Sequence, residues 1–261
     1  MANNAADAYP LLVLADKYVA DDIECMIEFQ IRQDWPKTIH EWDAFESRAV
    51  HMFRMHQQTK GARVGPWAWD ALVPEPASYI RLARIAKVAE RTRVAAAFYQ
   101  LSRMKAVCDQ RIELHDPPMD PTPTQLVKIQ RVMWSILTEE ELHRVEKGKE
   151  MMTSHATWLV QTLPKQIDLC VVCSQAWKVV AATLMSSDDI LADLLRFCRV
   201  ETSPLRPYMC VDCLTTVFRV LSGERARIWS LLPDYFEVCP NERACLDTYC
   251  TDSEDSEFVL M

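Results

Sequence analysis

The chain has 261 residues, of which 49% are hydrophobic, with only 4 glycines against 14 prolines and a formal net charge of -8. A chain of this length can bury a core of its own, and the shortage of glycine argues against a β-rich fold, which uses glycine at turns and bulges. The sequence therefore predicts an all-α protein, built as an irregular array of helical hairpins.

Most of the negative charge lies at the C-terminal end. From Glu237 onward the sequence has seven acidic residues and a single base, Arg243, while the rest of the chain is close to neutral. The absence of a dense Lys/Arg run argues against a nucleic-acid surface or a polybasic membrane patch. No apolar stretch reaches the roughly 18 residues of a membrane span, and no basic-then-apolar leader begins the chain. We therefore expect no nucleic-acid or membrane partner and a cytoplasmic or nuclear location.

The first third of the chain predicts helices separated by proline. Apolar residues at Leu11, Leu14 and Tyr18 have helical spacing, and a second short helix follows a polar break and ends before "WPKT". Thr38 and Glu41 form a capping-box pattern for the next helix. Pro76 lies where a helix tolerates proline, in its first turn.

Two tryptophans interrupt this helical pattern. The stretch "KGARVGPWAWDALVPEPAS" is predicted to be a loop, because it holds two of the four glycines and three prolines. Trp67 and Trp69 in this loop are candidates for a partner-binding hot spot. The alternative is that both rings simply pin the loop to the body of the protein.

Two Cys-x-x-Cys pairs are the strongest sign of chemistry in the chain. A second capping-box pattern, at Thr138 and Glu141, predicts the start of a helix before them. Each pair then precedes a helical run: Cys170 with Cys173, and Cys210 with Cys213. Two such pairs can supply the four thiolates of a tetrahedral structural zinc site. The 36 residues between the pairs exceed the usual spacing of a zinc ribbon, so the second interpretation, four small buried hydrophobic side chains, stays open. Zinc is the one cofactor that the sequence predicts.

Two acidic patterns raise the alternative of a metal-dependent all-helical enzyme. Asp188, Asp189 and Asp193 superficially resemble the aspartate-rich motif of terpene cyclases, but an acidic first helical turn after a Ser186–Ser187 cap is the favoured explanation, because negative charge stabilises a helix N-terminus. Glu140 and His143 match the Glu-x-x-His motif of di-iron bundles, which use that motif twice. Since neither motif has its second copy, the sequence favours a non-enzymatic protein.

Several stretches together resemble fungal BTB/POZ-domain proteins. "LLVLADKYVADDIECMIEFQI" is similar to the closing helices of a BTB domain, and "WPKTIHEWDAFE", "PEPASYIRLARIAKV", "AAAFYQLSRM" and "WSILTEEELHRVEKGKEMM" are similar to the helical extension of such proteins. The cysteine pairs and "IWSLLPDYFEV" resemble their C-terminal region. The mixed sheet-and-helix core of the BTB domain has no counterpart in this sequence.

The resemblance implies a domain organisation and a function. Residues 1–36 would be a remnant of the closing BTB helices, 37–162 a BACK-like helical extension, 163–238 a helical segment with both cysteine pairs, and 239–261 an acidic disordered tail. The implied function is that of a non-enzymatic scaffold with protein partners, with homo-oligomerisation as a further expectation.

Overall fold

The computed structural model of the protein describes residues 5–20, 22–23, 25–27, 29, 35–58, 74–85, 90–104, 122–127, 130, 132–167, 169–199 and 201–238. These residues form helices and connecting turns, with no β-strand among them, which confirms the predicted all-α class. The helices are α1 (Ala5–Tyr18), α2 (Ile39–Gln58), α3 (Pro76–Ile85), α4 (Arg91–Ser102), α5 (Pro123–Val127), a 3-10 turn (Trp134–Ile136), α6 (Glu139–Gln166), α7 (Val171–Met185), α8 (Ile190–Cys198) and α9 (Val211–Tyr235).

Helices that follow each other in the chain pack in pairs. α3 packs on α4, α6 on α7, and α8 on α9, while α1 lies against α3. Longer-range contacts join these pairs: α4 packs on both α6 and α9, and α6 also packs on α9. The boundary predicted between residues 162 and 163 falls within α6. Buried residues on both sides of this boundary belong to one continuous core.

An aromatic cluster occupies the centre of this core. The Trp42 ring of α2 lies 5.6 Å from Phe45, 5.2 Å from Tyr99 of α4 and 5.4 Å from Trp229 of α9, measured between centroids. The Trp229 indole nitrogen donates to the carbonyl oxygen of Lys37 at 3.0 Å. Large aromatic side chains with a satisfied polar atom stabilise such a core strongly. The cluster therefore packs α2, α4 and α9 against one another.

The capping patterns explain where several helices begin. Thr138 and Glu141 form the predicted capping box at the start of α6, each side chain accepting from the backbone N–H of the other residue. At α2 the pattern is only half realised: Thr38 accepts from the Glu41 N–H, but the Glu41 carboxylate accepts from Lys37 N–H instead. α3 begins at Pro76, as its position in the sequence predicts.

Pro164 does not end α6 but lies in its last turn. A proline has no N–H to donate to the carbonyl four residues earlier, here that of Val160. The indole nitrogen of Trp177 in α7 donates to this Val160 oxygen at 3.4 Å. A side chain of the neighbouring helix thus replaces the missing backbone donor, which lets α6 continue to Gln166.

Candidate metal centre

The four cysteines of the two Cys-x-x-Cys pairs lie at the starts of two helices. Cys170 is the N-cap residue of α7 and Cys210 the N-cap residue of α9, so Cys173 and Cys213 occupy equivalent third positions in the first turns. Cys170 and Cys210 are exposed, whereas Cys173 and Cys213 are buried. The two pairs therefore present the same arrangement of thiols from two different helices.

The intervening chain explains how the pairs meet. α8 folds back onto α9, and the turns that follow it bury Leu205 and Met209 in the core. This returns the chain to the start of α7 just before Cys210. The unusual spacing in the sequence is thus taken up by most of α7, by α8 and by the turns that connect them, rather than by a zinc ribbon.

The geometry of the four sulfur atoms matches a single metal ion. All four lie within 4.8 Å of one another, and the Sγ atoms of Cys173 and Cys210 are 3.6 Å apart. Four sulfurs at about 2.3 Å from a tetrahedral zinc ion would be separated by about 3.8 Å. In the described part of the chain, no other group of three or more His, Cys, Asp or Glu side chains is close enough to share a metal ion.

The backbone around the cysteines favours negative charge on sulfur. The Cys210 N–H donates to the Cys173 sulfur at 3.2 Å, a contact of the kind that orients metal-binding thiolates. Hydrogen bonds from Cys173 lower the pKa of Cys170 to about 7. At Cys173 the Cys210 N–H also favours the thiolate, but the neighbouring thiols and burial outweigh it and raise its pKa to about 12. A divalent cation would displace the protons of the thiols that bind it.

The three aspartates of the acidic motif do not form a common site. Asp188 is exposed, whereas Asp189 is buried and is the N-cap of α8, accepting from the Ala192 N–H at 3.1 Å. Asp193 accepts from the Ser187 hydroxyl at 2.6 Å. The predicted Ser186–Ser187 cap is therefore wrong, because the carboxylate of Asp189 accepts from the N–H in the first turn of α8. The Ser187 hydroxyl instead accepts from the Asp189 N–H and donates to Asp193.

Asp189 also belongs to a buried ionic network that the sequence analysis missed. Arg103 forms ion pairs with Asp189 and, at 2.7 Å, with Glu46, and all three side chains are buried. The hydroxyls of Tyr99 and Thr124 donate to Asp189 at 2.5 and 3.0 Å. Arg103 holds the pKa of Asp189 below its ordinary value against the opposing effect of burial, which is the larger single influence. The adjoining cavity of about 20 Å³ has room for a water molecule rather than an organic substrate.

A sign of this network is present in the sequence. Glu46 lies in the apolar stripe of α2, between Trp42 and Ala49 at helical spacing, where a charged side chain must find a buried partner. The sequence does not say which partner, because Arg103 lies at the end of another helix.

The remaining candidate residues are either exposed on a helix or outside the residues that the structure describes. Glu140 and His143 are exposed on α6, and Glu140 pairs with Arg144 at 2.5 Å one turn further along. Trp67 and Trp69 lie outside the described residues, as does the acidic segment 239–261. Their predicted roles stay predictions.

Comparisons with other proteins add no family. No protein-family model, no curated protein and no solved structure gives a significant match to the chain. Within the described residues, none of the helices combines the length and apolar character needed to cross a membrane. The site must therefore be interpreted from its own geometry.

Proposed function

We propose that this chain is a non-enzymatic helical scaffold for protein–protein interaction, fastened by one structural zinc ion at Cys170, Cys173, Cys210 and Cys213. The observation that carries the metal proposal is the convergence of four sulfurs within 4.8 Å at two helix starts. Four thiolates without an exchangeable position are typical of structural zinc, since catalytic zinc sites keep one position for water or substrate. The zinc ion would supply a cross-link between α7 and α9.

The scaffold part of the proposal draws on three observations. The described acidic residues of the terpene-cyclase-like motif have structural partners and do not face a shared cavity. Exposed apolar side chains follow one another along the N-terminal helical region, namely Leu11, Val13, Leu14, Tyr18, Val19, Ile23, Met26 and Phe29. An apolar surface of this kind is typical of interaction sites. The resemblance to BTB/POZ proteins, which remains a prediction, points to the same class.

Metal analysis of the purified full-length chain tests the zinc site. After expression in zinc-supplemented medium we expect one zinc ion per chain, and replacement by cobalt should give the absorption spectrum of tetrahedral sulfur ligation. Cys173→Ser should abolish stoichiometric zinc, because it removes a buried ligand. Cys25→Ser, at an exposed cysteine outside the cluster, should retain zinc. Wild-type protein without bound zinc, cobalt or another soft metal ion would refute the proposal.

A further inference from the structure

The residues that flank the four cysteines form an unusually exposed apolar surface. Val171 is 85% exposed, Val172 75%, Val211 77% and Tyr208 60%. Each lies within two positions of one of the cysteines. We call these four side chains the cysteine-flanking surface.

Helix stability offers no reason for these residues. Val171 and Val211 are the first residues of α7 and α9, where the helix dipole favours acidic side chains and where an exposed apolar group gains nothing from burial. Valine is also a weaker helix former than alanine or glutamate. Two helices nevertheless place valine at the same exposed position beside the same cluster, which suggests that a partner covers them.

The surface would be rigid in the metal-bound protein, and in this respect the inference rests on the proposed function. A zinc ion would fix the first turns of α7 and α9 relative to each other, so the four side chains would keep their positions before a partner arrives. Binding to a preorganised surface avoids the entropic cost of ordering it.

Charge distinguishes between classes of partner. In the stretches 169–175 and 208–213 the sole charged side chain is Asp212, which is exposed. Four thiolates around a divalent cation carry a net charge of -2, so the surface is apolar with a negative centre. Nucleic acid and anionic lipid would be repelled, and so would a second copy that brought the same negative centre face to face.

We propose that the cysteine-flanking surface binds an amphipathic, basic segment of another protein. Aliphatic side chains of the segment would cover Val171, Val172 and Val211, while its Lys or Arg residues would lie near Asp212 and the exposed sulfurs of Cys170 and Cys210. This arrangement removes apolar area from water and pairs opposite charges at the rim.

The test measures binding of labelled synthetic peptides to the zinc-loaded full-length chain by fluorescence anisotropy. The probe is a helical-pattern peptide of Lys and Leu; a Lys/Ser peptide has the same charge without apolar residues, and a Glu/Leu peptide has the opposite charge. We expect binding of the Lys/Leu peptide that is at least about tenfold tighter than binding of the other two, which corresponds to about 1.4 kcal/mol.

Matched variants locate the binding surface. The double variant Val171→Ser and Val211→Ser should weaken Lys/Leu binding by about tenfold or more and should retain its zinc, whereas Val179→Ser, at an exposed valine further along α7, should bind like the wild type. Equal binding by the double variant, or no peptide binding by zinc-loaded protein, would overturn the proposal. So would a wild-type dimer in sedimentation velocity that the double variant abolishes, since a second copy would then be the occupant. Absence of bound metal from the purified wild-type protein would instead refute the zinc site of the proposed function.

Discussion

Arg103 is a cation shared by two buried carboxylates from different helices. Glu46 comes from α2 and Asp189 from the start of α8, while Arg103 itself follows the last turn of α4. A buried charge is costly unless it is paired, so removal of one member leaves the others without compensation. The network thus makes the positions of three helices depend on one side chain.

Replacement of the shared cation should be severe. We expect Arg103→Met to lower the free energy of unfolding by about 3–5 kcal/mol, because it leaves two carboxylates buried without their counter-ion. The same change at Arg227, which forms an exposed pair with Glu224 at 3.2 Å, should cost about 1 kcal/mol or less. Urea denaturation of both variants measures the difference, and equal losses would contradict the role given to Arg103.

Glu46 should give the stability a characteristic pH dependence. Burial raises the pKa of Glu46, Arg103 lowers it and Asp189 raises it again, with a net increase above the ordinary value of 4.5. A carboxyl group with a raised pKa in the folded state binds protons more tightly there, so its contribution to stability is complete below pH 4.5 and is lost as pH rises through the folded pKa.

Comparison of Glu46→Gln with the wild type isolates this effect. The glutamine cannot ionise, so the stability of the variant relative to the wild type should increase as pH rises from 4.5 through the folded pKa of Glu46. Denaturation curves at several pH values measure this difference. A constant difference would show that Glu46 titrates normally, and a falling difference would show that its folded pKa is lowered; either result would contradict the prediction.

At the scale of helices, close packing depends on the absence of a side chain at Gly148. This residue lies in α6 directly against the ring of Phe236, which is fully buried after the end of α9. A methyl group added at Gly148 would come within 2.8 Å of the ring carbon Cγ and closer still to Cδ1 and Cε1. The glycine therefore sets the distance between α6 and the end of α9.

Alanine substitutions at Gly148 and Gly223 should have opposite effects on the free energy of unfolding. Gly148→Ala should destabilise the protein by about 2–3 kcal/mol, because the fully buried Phe236 ring, which stacks on Phe98, would have to shift. Gly223→Ala in α9 meets no atom within 4 Å and should stabilise by about 0.5–1 kcal/mol through helix propensity alone. Thermal unfolding of both variants gives the comparison. Stabilisation by both would mean that α6 and Phe236 are not in contact.

The described residues form one packed unit in which α9 contacts α2, far away in the sequence. Arg225 donates to both carboxylate oxygens of Asp43 in α2 and, at 2.9 Å, to the carbonyl oxygen of Leu191. Arg91 donates to Val238 and Asp234 near the other end of α9. These contacts and the Trp42–Trp229 pair predict a single cooperative unfolding transition.

Trp229→Ala tests this cooperativity. We expect a loss of about 3–5 kcal/mol, since a large buried ring is removed, with far-ultraviolet circular dichroism and tryptophan fluorescence shifting together. Trp158→Ala, at a 38% exposed ring on α6, should cost about 1 kcal/mol or less. Separate transitions for the two probes in Trp229→Ala would indicate two independent halves.

The sequence predicted the local features of this fold better than its long-range contacts. Helical spacing, the Thr138–Glu141 box and the start of α3 at Pro76 depend on neighbouring residues and were readable directly. The meeting of Cys173 with Cys210 was a hypothesis because nothing local fixes the path of 36 intervening residues. Continuation of α6 past Pro164 depends on Trp177, and the partner of Glu46, Arg103, lies at the end of another helix. Such contacts exist only once the chain has folded.

The pairing of α2 with α9 has a consequence for biosynthesis. Asp43 and Arg225 are separated by 182 positions, so at ribosomal rates of 5–20 residues per second the second arrives roughly 10–40 s after the first. During that interval Trp42 can reach Phe45 and Tyr99 but lacks Trp229 as a neighbour, so the part of α2 that packs on α9 remains uncovered on the nascent chain. Helices form in microseconds or less, so the delay comes from translation rather than from coiling of the backbone. We therefore expect chaperones that shield this apolar surface until α9 has been synthesised to raise the yield of folded protein.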